Sequence, residues 1–155
     1  QFLHSDPVRA DEVAQMNAVI DRELAGLPQA EMGAGPKPAL VGVAGTFTTL
    51  AAMEKKLARY SHGDVHGSTL TLDAVTRQLE LLERKSIAER RQIVGLEPRR
   101  ADVIFAGACL LERIMSRYHA DHVIVSDQGV RYGLLHEAAG ALGGGVIVCC
   151  SLSGK

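Results

Sequence analysis

The sequence predicts an α/β layered domain built around a pair of parallel strands. Two continuous apolar runs carry that prediction: Ala39-Leu40-Val41-Gly42-Val43-Ala44, bounded by glycine, and His122-Val123-Ile124-Val125-Ser126. Unbroken apolar runs of this length suit strands covered on both faces, whereas half-exposed strands alternate. The third observation is the order of elements. Segments of helical periodicity precede, separate and follow the two runs, and strand, helices, strand is the order that joins parallel neighbours by a crossover.

The first helix is read from Val13, Met16, Ile20, Leu24 and Leu27, which recur at three- or four-residue spacing. Ser5-Asp6-Pro7 offers capping oxygens and a proline suited to a first helical turn, and the helix ends at 26–28. Residues 29–38 hold two glycines and two prolines and read as a connection. After the first strand, Gly45-Thr46-Phe47-Thr48-Thr49 forms a turn into a helix over about 50–58. Residues 60–67, with two glycines and two histidines, read as irregular. Leu72, Val75, Leu79 and Leu82 carry a helix through Arg84, and Ser86-Ile87-Ala88-Glu89 is a capping box that opens a short helix to about 93.

Pro98 is placed to start the next and longest helix, which should be central. Its apolar face holds Val103, Gly107, Leu110, Leu111, Ile114 and Tyr118, and Gly107-Ala108 is small enough to admit a close neighbour. Residues 129–139 read as a further helix. The chain then runs through Gly143-Gly144-Gly145, a hinge, into the apolar tail Val146 to Cys150.

With 155 residues, 46% hydrophobic and 23% charged, the chain has the size of one domain, able to bury about 70% of its unfolded surface without disulfides or structural metal. Lys and Arg number 17 against 18 Asp and Glu, a net charge of −1. That balance argues against nucleic-acid or membrane-surface binding, which needs a basic excess. An odd three cysteines, Cys109, Cys149 and the adjacent Cys150, fit no disulfide framework and indicate a reducing, cytoplasmic setting. No apolar run reaches the roughly 18 residues of a membrane span, and no basic-then-apolar leader is present. Gln1 in place of an initiator Met reads as a processed chain or an excised fragment.

The strongest local chemical signal is Gly42-Val43-Ala44-Gly45-Thr46-Phe47-Thr48-Thr49. A buried strand delivers glycine and three hydroxyls to a helix N-terminus, where unpaired backbone N–H groups and the helix dipole favour an anion such as phosphate. Gly45, Thr46, Thr48 and Thr49 are the candidates; the alternative is an ordinary strand-to-helix turn with threonine caps. Ser126-Asp127-Gln128-Gly129-Val130-Arg131 follows the second strand, at the edge where open α/β sheets place ligands. Asp127 could orient water or a metal, and Arg131 could clamp a phosphate through its planar fork; alternatively Ser126 and Asp127 cap the next helix and Arg131 pairs with a carboxylate. His62 with His66, and His119 with His122, lack a third ligand, so no residue is assigned to a metal. Arg90-Arg91 and Arg99-Arg100 lie beside Glu89, Glu97 and Asp102 and read as solvated faces or salt-bridge partners. Cys109 reads as inert core packing.

Taken together and in order, four segments resemble the second domain of the Ppx/GppA phosphatases, the exopolyphosphatase and guanosine pentaphosphate phosphohydrolase family. They are the run from Val41 to Ala51; Val65-His66-Gly67 with Leu70-Thr71; Gly95-Leu96-Glu97-Pro98-Arg99-Arg100-Ala101-Asp102-Val103-Ile104; and the run from Val125 to Leu135. The opening Phe2-Leu3-His4-Ser5-Asp6-Pro7 is similar to the segment after that domain's first strands. The resemblance covers residues 1–138, a partial second domain, and leaves 139–155 as a glycine-rich hinge and apolar tail of unassigned role.

It implies the ribonuclease H-like fold of actin, sugar kinases and Hsp70 chaperones, incomplete here and with several flanking helices. It also implies hydrolysis of the terminal phosphate of inorganic polyphosphate or guanosine pentaphosphate, with Mg²⁺ assisting. Gly45, Thr46, Thr48, Thr49, Asp127 and Arg131 would face the phosphate chain. The family's Asp-x-Gly-Ser-Asn-Ser loop, its catalytic glutamate and its Asp-x-Gly-Gly-Gly-Ser loop have no match in this sequence. The resemblance therefore implies a gripping domain whose water-activating base lies in an absent first domain, with that domain or a second chain, as in a homodimer, for a partner. The alternative is a non-catalytic phosphate- or nucleotide-binding module that acts by association. Strands missing from the expected sheet would leave an edge for the apolar tail to cover.

Overall fold

Both apolar runs form the centre of one sheet. In this computed structural model, which describes residues 2–27, 39–129 and 147–149, β1 (Val41–Val43) lies parallel to β3 (His122–Ser126), with Val41 opposite Ile124 and Val43 opposite Ser126. β2 (Thr69–Thr71) pairs antiparallel with the other edge of β3, Leu70 opposite Val123. β4 (Ile147–Cys149), from the apolar tail, adds in parallel to β1, so the order is β2-β3-β1-β4. The expected use of that tail to cover a sheet edge is what the strand pairing shows.

The connection from β1 enters α2 (Gly45–Glu54), in which eight consecutive residues, Thr46 through Met53, are all buried. A helix covered all round is an interior helix, and α2 holds that place. Phe47, Leu50, Val75, Leu82, Phe105, Leu111 and Met115 pack with Val123 and Val125 into a single core, each large side chain contributing about 1.5–3 kcal/mol by leaving water. Two more long helices close around it, α4 (Leu72–Glu83) and α6 (Ile104–Arg117), and α1 (Ala10–Ala25) covers α6. Gly107 admits the close neighbour expected of it: a Cβ there would meet Thr46 of α2 at 2.8 Å.

Several elements depart from expectation, each for a local reason. α2 begins at Gly45 rather than near residue 50, so the threonines lie inside the helix and not in a turn before it. α1 begins at Ala10, because the Glu12 carboxylate gathers the backbone N–H groups of His4, Ser5 and Arg9. Asp6, read as a cap for α1, instead accepts from the N–H of Ile87 at 2.7 Å and caps α5 (Ile87–Arg90). The Ser86/Glu89 capping box forms as read. Pro98 opens a separate 3₁₀ turn, Pro98–Arg100, leaving α6 with 14 residues, fewer than the 16 of α1. Residues 60–67, read as irregular, contain α3 (His62–Val65).

Arg90 corrects the reading of a solvated face. It is 1% exposed; its Nε donates to the Leu82 carbonyl at 2.9 Å, its Nη1 to that of Ala101 at 3.5 Å, and the guanidinium lies 5.3 Å from the Phe105 ring centroid. Gly95, at φ +88, sits so close to the Ala52 carbonyl that a Cβ would overlap it, which only glycine avoids. Cys109 is buried, and burial pushes its thiol up to about 12, as inert packing requires. Among the described residues no helix is long and apolar enough to cross a membrane. The connection 29–38, the helix read over 129–139, the glycine hinge and Arg131 lie outside the described residues, apart from Gly129.

Candidate functional site

Parallel pairing of β1 and β3 puts their carboxyl ends side by side. Val43 opposite Ser126 is the last rung of that ladder, so the turn into α2 and the turn Ser126-Asp127-Gln128-Gly129 leave the sheet together. The two motifs read separately in sequence thus meet at one edge.

The turn into α2 is strained. Ala44, its N-cap, has φ 87 and ψ 174, a region that is essentially reserved for glycine. This conformation brings the chain into the helix with Gly45 at its first position. The opening N–H groups of a helix, here Gly45, Thr46 and Phe47, have no acceptor within the helix, while that of Thr48 reaches the Ala44 carbonyl at 3.4 Å. Phe47 lies against Gly42, where any Cβ would overlap the ring. Arg100 reaches the same place from the 3₁₀ turn: a Cβ on Gly45 would overlap its guanidinium. Its Nε donates to Glu97 at 3.1 Å, and the side chain is 37% exposed. Read in sequence as a salt-bridge partner, Arg100 is that and also the cation at the α2 N-terminus.

The candidate threonines are 5–8% exposed. Thr46 packs on Gly107, and the Thr48 hydroxyl donates back to the Gly45 carbonyl at 3.3 Å. What this turn offers an anion is therefore backbone N–H groups and the Arg100 charge rather than a row of hydroxyls.

Asp127 stands at the other turn in a cluster the sequence did not single out. His62 Nδ1 donates to its Oδ2 at 2.8 Å, and its backbone N–H donates to His66 Nδ1 at 3.3 Å. The two rings stack, centroids 5.3 Å apart and planes 7° from parallel. The Tyr60 hydroxyl lies near both the Asp127 carboxylate and the Thr48 hydroxyl, between the two turns. Burial pushes the Asp127 carboxyl up, but the hydrogen bonds from Tyr60 and His62 and the nearby His62 and His66 rings outweigh it and hold its pKa below the ordinary value. Burial, then the Asp127 hydrogen bond and charge, push the Tyr60 hydroxyl well above the ordinary phenol value.

A usable signal for this cluster was present. Ser61 and Asp64 have capping-box spacing, Ser61 caps α3 as that spacing requires, and within a helix the interval from His62 to His66 puts both rings on one face.

Mg²⁺ asks for several hard oxygen ligands in octahedral array. Among the described residues no three His, Cys, Asp or Glu side chains are placed to hold a metal ion, and in the His62, His66 and Asp127 cluster the carboxylate is already engaged by His62. These residues by themselves do not fit a resident Mg²⁺.

Comparison with known proteins bears on this edge. The family model described as the Ppx/GppA phosphatase family matches residues 1–141. Exopolyphosphatase 2 of Mycobacterium tuberculosis is 29% identical over 156 aligned positions, covering 89% of this chain and 44% of that protein. A bifunctional 3-dehydroquinate synthase/phosphatase of Fusobacterium nucleatum is 34% identical over 98 residues, 63% of this chain and 14% of that one. The crystal structure of the Aquifex aeolicus Ppx/GppA family member superposes with a TM-score of 0.79 at 31% identity, over 90% of this chain and 44% of its own. The chain thus spans less than half the length of these relatives, and its fold is the ribonuclease H-like fold of the Aquifex aeolicus structure.

Proposed function

The chain belongs to the Ppx/GppA phosphatase family, and from that premise we propose that its sheet edge grips the phosphate chain of inorganic polyphosphate while the terminal phosphoryl group is hydrolysed. The observation that carries the reading is the convergence of the β1 and β3 turns at Val43 and Ser126. Phosphoryl transfer depends mainly on positioning and on neutralising charge on phosphate oxygens. The N–H groups of Gly45, Thr46 and Phe47, the positive end of the α2 dipole and the Arg100 guanidinium are suited to that task. Arg131, beyond the second turn, is the further cation we assign to the chain's phosphates.

The relatives named exopolyphosphatase favour inorganic polyphosphate over guanosine pentaphosphate. Both end in a terminal phosphoryl group linked to the next phosphate through an anhydride. We place the water-activating base on a first domain or a second chain across the cleft, as in a homodimer, and the family's Mg²⁺ with the phosphate oxygens rather than on this chain.

Titration calorimetry with inorganic tripolyphosphate tests the grip. Saturable binding is expected, and Gly45→Ala, which forces Arg100 away from the α2 N-terminus, should weaken it about tenfold, the scale of a charge-assisted hydrogen bond. No saturable binding, or equal binding by the variant, would overturn the reading.

A further inference from the structure

We propose that His66 is a phosphate-binding residue of this edge and that Asp127 is the residue that positions it, an inference that rests on the phosphate-gripping reading above. An ionised carboxylate cannot donate to phosphate oxygens and is repelled by them, so Asp127 at this edge needs a different task. Its backbone gives one. The Asp127 N–H donates to His66 Nδ1 at 3.3 Å. A neutral imidazole carries a single N–H, so an accepting Nδ1 puts the proton on Nε2. His66 thereby becomes a donor on the side of the ring away from Asp127, on an exposed side chain.

The carboxylate of Asp127 secures the neighbouring ring. His62 Nδ1 donates to it at 2.8 Å, and His62 lies flat against His66. Tyr60, beside the same carboxylate, favours its ionised form. The Gly67 N–H bonds the Val125 carbonyl at 2.8 Å, tying the residue after His66 to the strand that delivers Asp127. Rotation of His66 is therefore opposed by a stacked ring, a main-chain hydrogen bond and a chain anchor. An exposed N–H donor fixed in this way matches an acceptor-only phosphate oxygen.

Nitrogen-resolved NMR of the histidine side chains reads the tautomers of the neutral rings directly. His66 is expected in the Nε2–H form and His62 in the Nδ1–H form. Asp127→Ala removes the carboxylate but keeps the amide, so His62 should lose its single tautomer while His66 retains it. Inorganic tripolyphosphate should shift the His66 Nε2 signal. His66→Phe should weaken tripolyphosphate binding about tenfold, and His66→Gln, which keeps an N–H donor, should recover most of it. An Nδ1–H form of His66, or tripolyphosphate binding that leaves the His66 signal and the His66→Phe affinity unchanged, would overturn this inference while leaving the phosphate grip standing. No tripolyphosphate binding by the unsubstituted chain would overturn both.

Discussion

Val43 and Ser126 face each other at the last rung of the β1–β3 ladder. Residues 83 positions apart in sequence (126 − 43) therefore release their following turns at one point in space. Gly45 leaves from one side with the α2 N-terminus and Asp127 from the other with its two histidines. Parallel pairing is what produces this, because antiparallel strands would send the same turns to opposite ends of the sheet.

Ala44 carries the strain of the first turn. Its φ of 87 with ψ 174 costs about 1–3 kcal/mol for a residue with a Cβ. Glycine relieves that cost and loses about 0.4–1 kcal/mol through the greater freedom of the unfolded chain. Ala44→Gly is expected to stabilise the protein by about 1 kcal/mol in denaturant unfolding; a destabilised variant would show that the turn is not strained.

Asp127 should contribute to acid stability. Its folded pKa lies below the unfolded value, so its stabilisation is complete above about pH 4 and is lost as the pH falls through the lowered folded value. Glu12, Asp11 and Glu89 are also lowered, so the informative quantity is a difference. The stability gap between the unsubstituted chain and Asp127→Ala should be constant above about pH 4 and narrow as the pH falls below it. A gap that stays constant as the pH falls below about 4 would contradict the lowered carboxyl of Asp127.

At the alkaline end Tyr60 runs in the opposite sense. Its folded pKa is raised, so its contribution is present below the ordinary phenol pKa of about 10 and is lost as the pH rises through the higher folded value. In an absorbance titration of the three tyrosines, one should ionise late, and Tyr60→Phe should remove that late step. Its persistence in the variant would place the raised hydroxyl elsewhere.

Arg90 tests the core on the far side of α5. Its guanidinium donates to two carbonyls and covers the Phe105 ring, at 1% exposure. Arg90→Ala strands both carbonyls and opens a cavity, a loss expected at about 3 kcal/mol or more by chemical denaturation. A loss below about 1 kcal/mol would mean that the side chain is in practice solvated.

The sheet centre was legible because both strands are unbroken apolar runs, and the α5 capping box because Ser86 and Glu89 meet locally. β2 was not: three residues are too few to show a period, and its pairing depends on Val123, more than fifty residues away. The start of α2 was misplaced because Gly-Thr-Phe-Thr-Thr has the composition of a turn, and it is helical through burial against α6, with Thr46 packed on Gly107. Arg90 beside Glu89 looked solvated because sequence proximity suggests an ion pair, whereas packing turned the side chain inward. The two turns proposed to face phosphate were each singled out from residues alone. Their meeting, and the attachment of both histidines to Asp127, required the strand register.

Amide NMR of the labelled chain during titration with inorganic tripolyphosphate tests the central claim most directly. The account expects the largest shifts at the N–H groups of Gly45, Thr46 and Phe47 together with those of Ser126 and Asp127, the two turns responding as one site. Shifts confined to residues remote from both turns, with these five amides unmoved, would contradict it.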